Sequence, residues 1–209
     1  MWNKKYLISL GLITAVILII GGLLWNSGTM DLSTDETAIS VAPWIRGPKE
    51  APVTVDMYPD FECSICVDKE RMALRVFDNF SGNIRLVYHH YADAGFSEKM
   101  AEALEAAGDQ GKFWEMHDRI IEKVPSDITQ LKAVAEDIGL DITQFNNTLE
   151  SDRYTGKVRL AKQEAISAGV KYVSVFINGK EYRGNPGTLD DFRAAINEEL
   201  EKMGANNGN

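Results

Sequence analysis

The chain has 209 residues, 44% of them hydrophobic, with 22 Lys and Arg against 31 Asp and Glu and a formal net charge of −9. That length fits one domain with an appendage, and the apolar content suffices for a sizeable core without a disulfide framework. Acidic and basic residues are mixed through the helical stretches and form no basic stripe, which argues against a nucleic-acid partner and for a solvated acidic surface.

Residues 7–25 are apolar apart from Ser9, Thr14 and glycines, about the length needed to cross a bilayer core as a helix. Lys4 and Lys5 precede the run and Asp31, Asp35 and Glu36 follow it, which keeps the N-terminus cytoplasmic and places the remainder outside. The competing reading is a cleaved signal peptide, but residues 25–30 offer only a weak small-x-small cleavage site. An uncleaved single-pass anchor is the preferred reading of residues 1–26. No cysteine follows the run, so a lipoprotein anchor is excluded. Residues 27–48 are polar and aperiodic, with Pro43 and Gly47-Pro48 near their end, and read as a linker.

The folded domain is expected over 49–200. Residues 51–58 form a β-prone run that stops at Pro59 and leads directly into Cys63 and Cys66. A helix is predicted over 67–80 from Met72, Leu74, Val76, Phe77 and Phe80, followed by a second strand over 84–90. From Ser97 to about Ala168 the pattern is helical throughout, with Ser126-Asp127 and Asp141 as caps and Gly139 and Gly169 as stops. Residues 172–178 read as a strand, Asn178-Gly179 as a two-residue hairpin turn and 181–183 as the return strand. Thr188 caps a last amphipathic helix, and 201–209 read as a polar tail. The order is β-α-β, a block of helices over about 96–168, then β-β-α.

Cys63 and Cys66 are the only thiols in the chain. A bridge closing so short a loop removes little entropy from the unfolded chain, so a structural staple would be a poor use of both. At the start of a helix, unpaired backbone N–H groups and the helix dipole would instead stabilise the Cys63 thiolate, the form that attacks a partner disulfide. Cys66, one turn on, would resolve the mixed disulfide. Half of a zinc site is the main competitor, but only His89, His90 and His117 remain as soft or borderline ligands, and consecutive histidines suit a strand better than a chelate. Ser64 and Ile65 set the loop geometry and tune the Cys63 sulfur; Ser64 either donates to that sulfur or only caps the helix. The thiols themselves carry the chemistry, so neither a cofactor nor a metal is called for.

Val53-Thr54-Val55 followed by Asp60-Phe61-Glu62-Cys63-x-x-Cys66, then residues 110–118 (QGKFWEMHD), then Phe176-Ile177-Asn178-Gly179-Lys180, resemble in order the DsbA-like branch of the thioredoxin superfamily across roughly 49–200. The resemblance implies an α/β, thioredoxin-like fold with a helical insertion between its β-α-β and β-β-α halves. It further implies a monomeric, extracytoplasmic thiol–disulfide oxidoreductase that oxidises reduced or misoxidised exported proteins and is itself reoxidised by a DsbB-like or VKOR-like membrane partner. Reductase or isomerase activity, a non-catalytic client-binding module and an anchored metallochaperone stay open at this point, because potential is not legible in sequence.

Three positions depart from the family pattern. Val173, with Tyr172 before it, stands where relatives carry a cis-proline beside the client strand. A cis bond before a non-proline residue costs about 2.5–4 kcal/mol, so a trans peptide and a weaker client groove at Tyr172 and Val173 are expected. Met57 occupies the place of an acidic strand residue, and Tyr91-Ala92-Asp93 lacks the usual proline.

Overall fold

Strand β2 (Val53–Tyr58) is the axis of the molecule: Val53, Val55 and Met57 point inward and are buried, while Thr54, Asp56 and Tyr58 are half-buried on the other face. This period-2 alternation is why a short β-branched run becomes a sheet strand. The computed structural model describes residues 41–80, 82–171, 174–184 and 188–206. The apolar run 7–25, most of the linker reading, and Tyr172 and Val173 lie outside the described residues. No helix among the described residues is long and apolar enough to cross a membrane.

Strand β2 leads into helix α1 (Ser64–Asn79) and then into β3 (Ile84–Tyr88), which lies parallel to it with Val53 opposite Ile84 and Met57 opposite Tyr88. On its other side β2 pairs antiparallel with β4 (Ser174–Ile177), Tyr58 opposite Ser174. Strands β1 (Trp44–Arg46) and β5 (Lys180–Glu181) complete the order β1-β3-β2-β4-β5. Between β3 and β4 come α2 (Phe96–Gly108), α3 (Phe113–Glu122), α4 (Ile128–Asp137), α5 (Ile142–Glu150) and α6 (Thr155–Ser167), and α7 (Leu189–Asn206) follows β5. The expected β-α-β, helical insertion and β-β-α are all present.

The local signals behave as their chemistry requires. Asp127 and Asp141 accept from the backbone N–H groups of Gln130 and Gln144, capping α4 and α5. Asn178 and Gly179 both have positive φ, 47° and 77°, the geometry of a tight hairpin turn. Thr188 and Asp191 cap α7 reciprocally: Asp191 N donates to Thr188 Oγ1 at 3.1 Å, and Thr188 N donates to Asp191 Oδ2 at 2.8 Å.

Four expectations need correction. Residues 44–46, inside the stretch read as a linker, are strand β1, so the sheet begins before residue 49. The strand is held by its side chains: Trp44 stacks on Phe113 with centroids 4.3 Å apart, and Arg46 donates to both oxygens of Asp118 on α3 at 3.1 and 2.6 Å. Helix α1 starts at Ser64, not at residue 67. Strand β3 ends at Tyr88, so His89 and His90 follow it rather than lying in it. Helix α7 continues to Asn206 through most of the expected tail, with ion pairs from Lys202 to Glu198 and Glu199 on its last turns.

The anchoring of β1 makes one glycine irreplaceable. A Cβ on Gly108, the last residue of α2, would sit 2.5 Å from the Trp44 ring. That ring is clamped between Phe113 and a hydrogen bond from its Nε1 to Glu105 (2.8 Å) and has little room to retreat. Gly108→Ala is therefore expected to destabilise by about 1–3 kcal/mol, outweighing the roughly 1 kcal/mol gain in helix propensity. A fall in the urea midpoint at unchanged slope would register this; an equally stable variant would mean that the Trp44 contact is soft.

Candidate active site

Cys63 is the N-cap of α1, with extended backbone (φ −98°, ψ 101°). The turn before it closes through Cys63 N to Asp60 O at 3.1 Å. The helix opens with Cys66 N and Val67 N both donating to Cys63 O at 3.0 Å. Cys63 and Cys66 are joined by a disulfide with their Cα atoms 5.2 Å apart. No side chain caps the helix start and its first turn has no acidic residue, so nothing on α1 competes with a sulfur anion for the positive end of the helix. Both cysteines are half-buried, Ser64 is exposed and Ile65 is 53% exposed.

The loop that presents Cys63 stands on a buried carboxylate. Asp60, only 5% exposed, accepts through Oδ1 from Glu62 N (2.9 Å) and Ser97 Oγ (2.6 Å), and through Oδ2 from Asp93 N (3.2 Å). Ser97 Oγ in turn accepts from Phe61 N at 3.2 Å. Glu62 reaches the start of α2 and accepts from Ser97 N at 3.0 Å, taking the place of the cap that Gly95 has no side chain to provide. The Asp-Phe-Glu ahead of Cys63 thus ties the dithiol turn to the helical insertion. Nothing local to Asp60 and Glu62 in the sequence marks this work, because their partner, Ser97, is more than thirty positions away.

Behind the bridge, Cys66 lines a cavity of about 10 Å³ together with Met57, Tyr58, Pro59 and Glu70. Met57 is the strand residue facing this interior. Its neighbour Asp56 lies on the opposite face and accepts from His89 Nε2 at 3.0 Å, while Tyr58 stacks on the His89 ring. Burial, reinforced by Asp56, pushes the Tyr58 hydroxyl pKa up, so it stays protonated beside the site. Each histidine weighed as a zinc ligand is paired with a carboxylate: His89 with Asp56, His90 with Glu105 and His117 with Glu70. Ser174, opposite Tyr58, starts the strand that follows the groove expected at Tyr172 and Val173.

A family model described as Thioredoxin matches residues 40–198. The chain belongs to the thioredoxin family. Among curated relatives, "Probable disulfide bond formation protein D" of Bacillus anthracis is 28% identical over 221 residues, covering 97% of this chain and 100% of that protein. "Na(+)/H(+) antiporter NhaA 1" of Salinispora arenicola is 40% identical over 152 residues, 68% of this chain but only 22% of the antiporter, so the chain spans under a quarter of that relative's length. Among solved structures, alpha-DsbA1 of Wolbachia pipientis superposes with a TM-score of 0.68 at 18% identity, over 77% of this chain and 92% of that one. At such identity the likeness concerns the fold alone, which is thioredoxin-like with an inserted helical block.

Proposed function

We propose that the chain is an exported thiol–disulfide oxidoreductase that forms disulfides in secreted or cell-envelope proteins. The observation that carries this reading is the Cys63–Cys66 bridge at the N-terminus of α1, directly after the central strand. A client thiolate attacks the Cys63 sulfur, the Cys63–Cys66 bond breaks, and Cys66 leaves as the sulfur anion. A second client thiolate then attacks the client sulfur of the mixed disulfide and releases Cys63. Stabilisation of the Cys63 thiolate by the helix start makes that last departure favourable and the bridge oxidising. Ile65, apolar and exposed beside the sulfurs, offers a contact for an unfolded client. Full-length correspondence to the Bacillus anthracis protein supports the reading. The antiporter likeness covers only a fraction of that protein and lends no transport activity.

In this proposal residues 7–25 anchor the chain with the dithiol outside the cytoplasm, clients are reduced exported proteins, and a quinone-linked membrane protein of the DsbB or VKOR kind restores the bridge. Tyr172 and Val173 are the proposed client groove. Equilibrating the full chain with glutathione buffers tests the direction of exchange. The couple is expected well above the thioredoxin level of about −270 mV. A value at that level would make the protein a reductant, and a bridge inert to glutathione would leave a client-binding module.

A further inference from the structure

Tyr91, Ala92 and Asp93 belong to the connection from β3 to α2, and they hold two loops at once. On one side Asp93 N donates to Asp60 Oδ2 at 3.2 Å, and Asp60 O accepts from Cys63 N at 3.1 Å, so the connection supports the loop that presents the nucleophile. On the other side the Tyr91 hydroxyl donates to Val170 O at 3.1 Å, a buried hydrogen bond between residues 79 positions apart. Val170 opens the segment that leads from α6 to β4, to which the proposed groove residues Tyr172 and Val173 belong. The far end of that segment is fixed by Ser174, which pairs with Tyr58.

Packing and charge hold the connection in place. Tyr91 is 7% exposed, and its ring packs among Ala165, Val170, Tyr58 and Phe176, edge-on to Tyr58 with centroids 6.2 Å apart. Lys162 of α6 donates to Ala92 O at 3.3 Å, pairs with Asp93, and holds its ammonium 5.3 Å from the centre of the Tyr91 ring. A phenylalanine would fill the same space. The hydroxyl does more, because removing it strands a buried carbonyl and releases Val170 O from its present position.

We infer that residues 91–93, through Tyr91 and Asp93, set the segment after α6 in fixed register with Cys63 and so make the exchange selective for extended polypeptides over small thiols. The inference rests on the exchange reaction proposed above. A small thiolate attacks Cys63 without touching the segment between α6 and β4. A polypeptide lying along that segment delivers its thiolate to Cys63 only while the two loops keep their register, and a misplacement of about 1 Å can cost about 10²-fold in rate. Tyr91 and Asp60 touch no reacting atom; both are positioning residues.

The test compares the full chain with Tyr91→Phe, which removes one hydroxyl and keeps the ring. Rate constants for opening the bridge are measured with dithiothreitol and with an unstructured peptide carrying two cysteines. The ratio of the peptide rate to the dithiothreitol rate is expected to fall about tenfold in Tyr91→Phe; an unchanged ratio overturns the inference. Amide hydrogen exchange gives a second reading that needs no client. Tyr91→Phe is expected to speed exchange at Glu62 and Cys63 as well as at Val170, and Asp60→Asn to speed it at Val170, because coupling through one connection acts in both directions. Effects confined to the substituted side overturn the inference. A parent bridge that neither thiol opens would overturn the proposed exchange and the selectivity with it, while the amide exchange would still decide whether the two loops are coupled. Should Tyr91→Phe not fold, Lys162→Met, which frees the connection from α6, is read in the same two assays with the same expected fall and the same overturning results.

Discussion

With Cys66→Ala the full chain is expected to accumulate covalent adducts with reduced client proteins, while Cys63→Ala forms none. The asymmetry follows from the helix start. Cys63 occupies the N-cap, where the unpaired N–H groups of the first turn and the helix dipole favour a sulfur anion; Cys66 lies inside the first turn, with its own N–H committed to Cys63 O. An ordinary thiol of pKa about 8.5 is almost wholly protonated at mildly acidic pH, whereas one lowered into the range of roughly 3.5–7.5 is largely thiolate. After allowing for the lower nucleophilicity of a less basic sulfur, Cys63 of the reduced parent should alkylate roughly tenfold faster than an unperturbed thiol at about pH 6. Turnover of a client thiol should fall to background in either single variant, because each removes one half of the exchange. Mass spectrometry of alkylated peptides and non-reducing gels read both outcomes, and preferential labelling of Cys66 would reverse the assignment of roles.

Glu105→Gln is expected to cost about 3–5 kcal/mol at pH 7, the range for breaking a buried charge pair on one side. Glu105 on α2 is 2% exposed and receives Trp44 Nε1 at 2.8 Å, His90 Nε2 at 2.6 Å and Lys157 Nζ at 2.5 Å. Burial pushes its carboxyl up, but the hydrogen bonds from His90, Lys157 and Trp44 overrule this and hold its pKa down at about 2, against 4.5 for a free glutamate. Because the folded-state pKa is the lower one, the unfolded chain binds the proton first. The stabilisation is complete above about pH 4.5 and is lost as pH falls towards 2, amounting to about 3 kcal/mol. Burial, only partly offset by Glu105, lowers the pKa of His90, so it too stabilises less as pH drops below its ordinary value of 6.5. His117 has the opposite sign: its raised pKa makes its contribution full below 6.5 and lost as pH rises through the folded value. Urea unfolding of parent and Glu105→Gln at pH 7 and pH 3 should give curves that converge at the lower pH. A variant as stable as the parent at pH 7 would remove Glu105 from its place as the tie between β1, α2 and α6.

What sequence alone determined was everything encoded within a few residues. Alternating apolar residues made β2, a short apolar run made β3, 3.6-residue spacing made the helices, and Asp127, Asp141, Gly139, Gly169, Asn178-Gly179 and Thr188 marked their ends through local backbone chemistry. The same locality brought Cys63 and Cys66 to a strand-to-helix junction. Strand β1 escaped because three residues are too few to show a period; it exists only because Trp44 and Arg46 find Phe113, Glu105 and Asp118 far along the chain. The mixed acidic residues of the sequence likewise suggest a solvated surface, yet Glu70, Glu102 and Glu105 are buried. A carboxylate can leave water only where donors converge on it. Most of those donors come from residues remote in sequence: His117 for Glu70, Thr155 for Glu102 alongside its helix neighbour Lys99, and Trp44 and Lys157 for Glu105. No periodicity announces such meetings, so the polar interior around the dithiol, including the Asp60–Ser97 tie and the carboxylate behind Cys66, was decided by the tertiary structure alone.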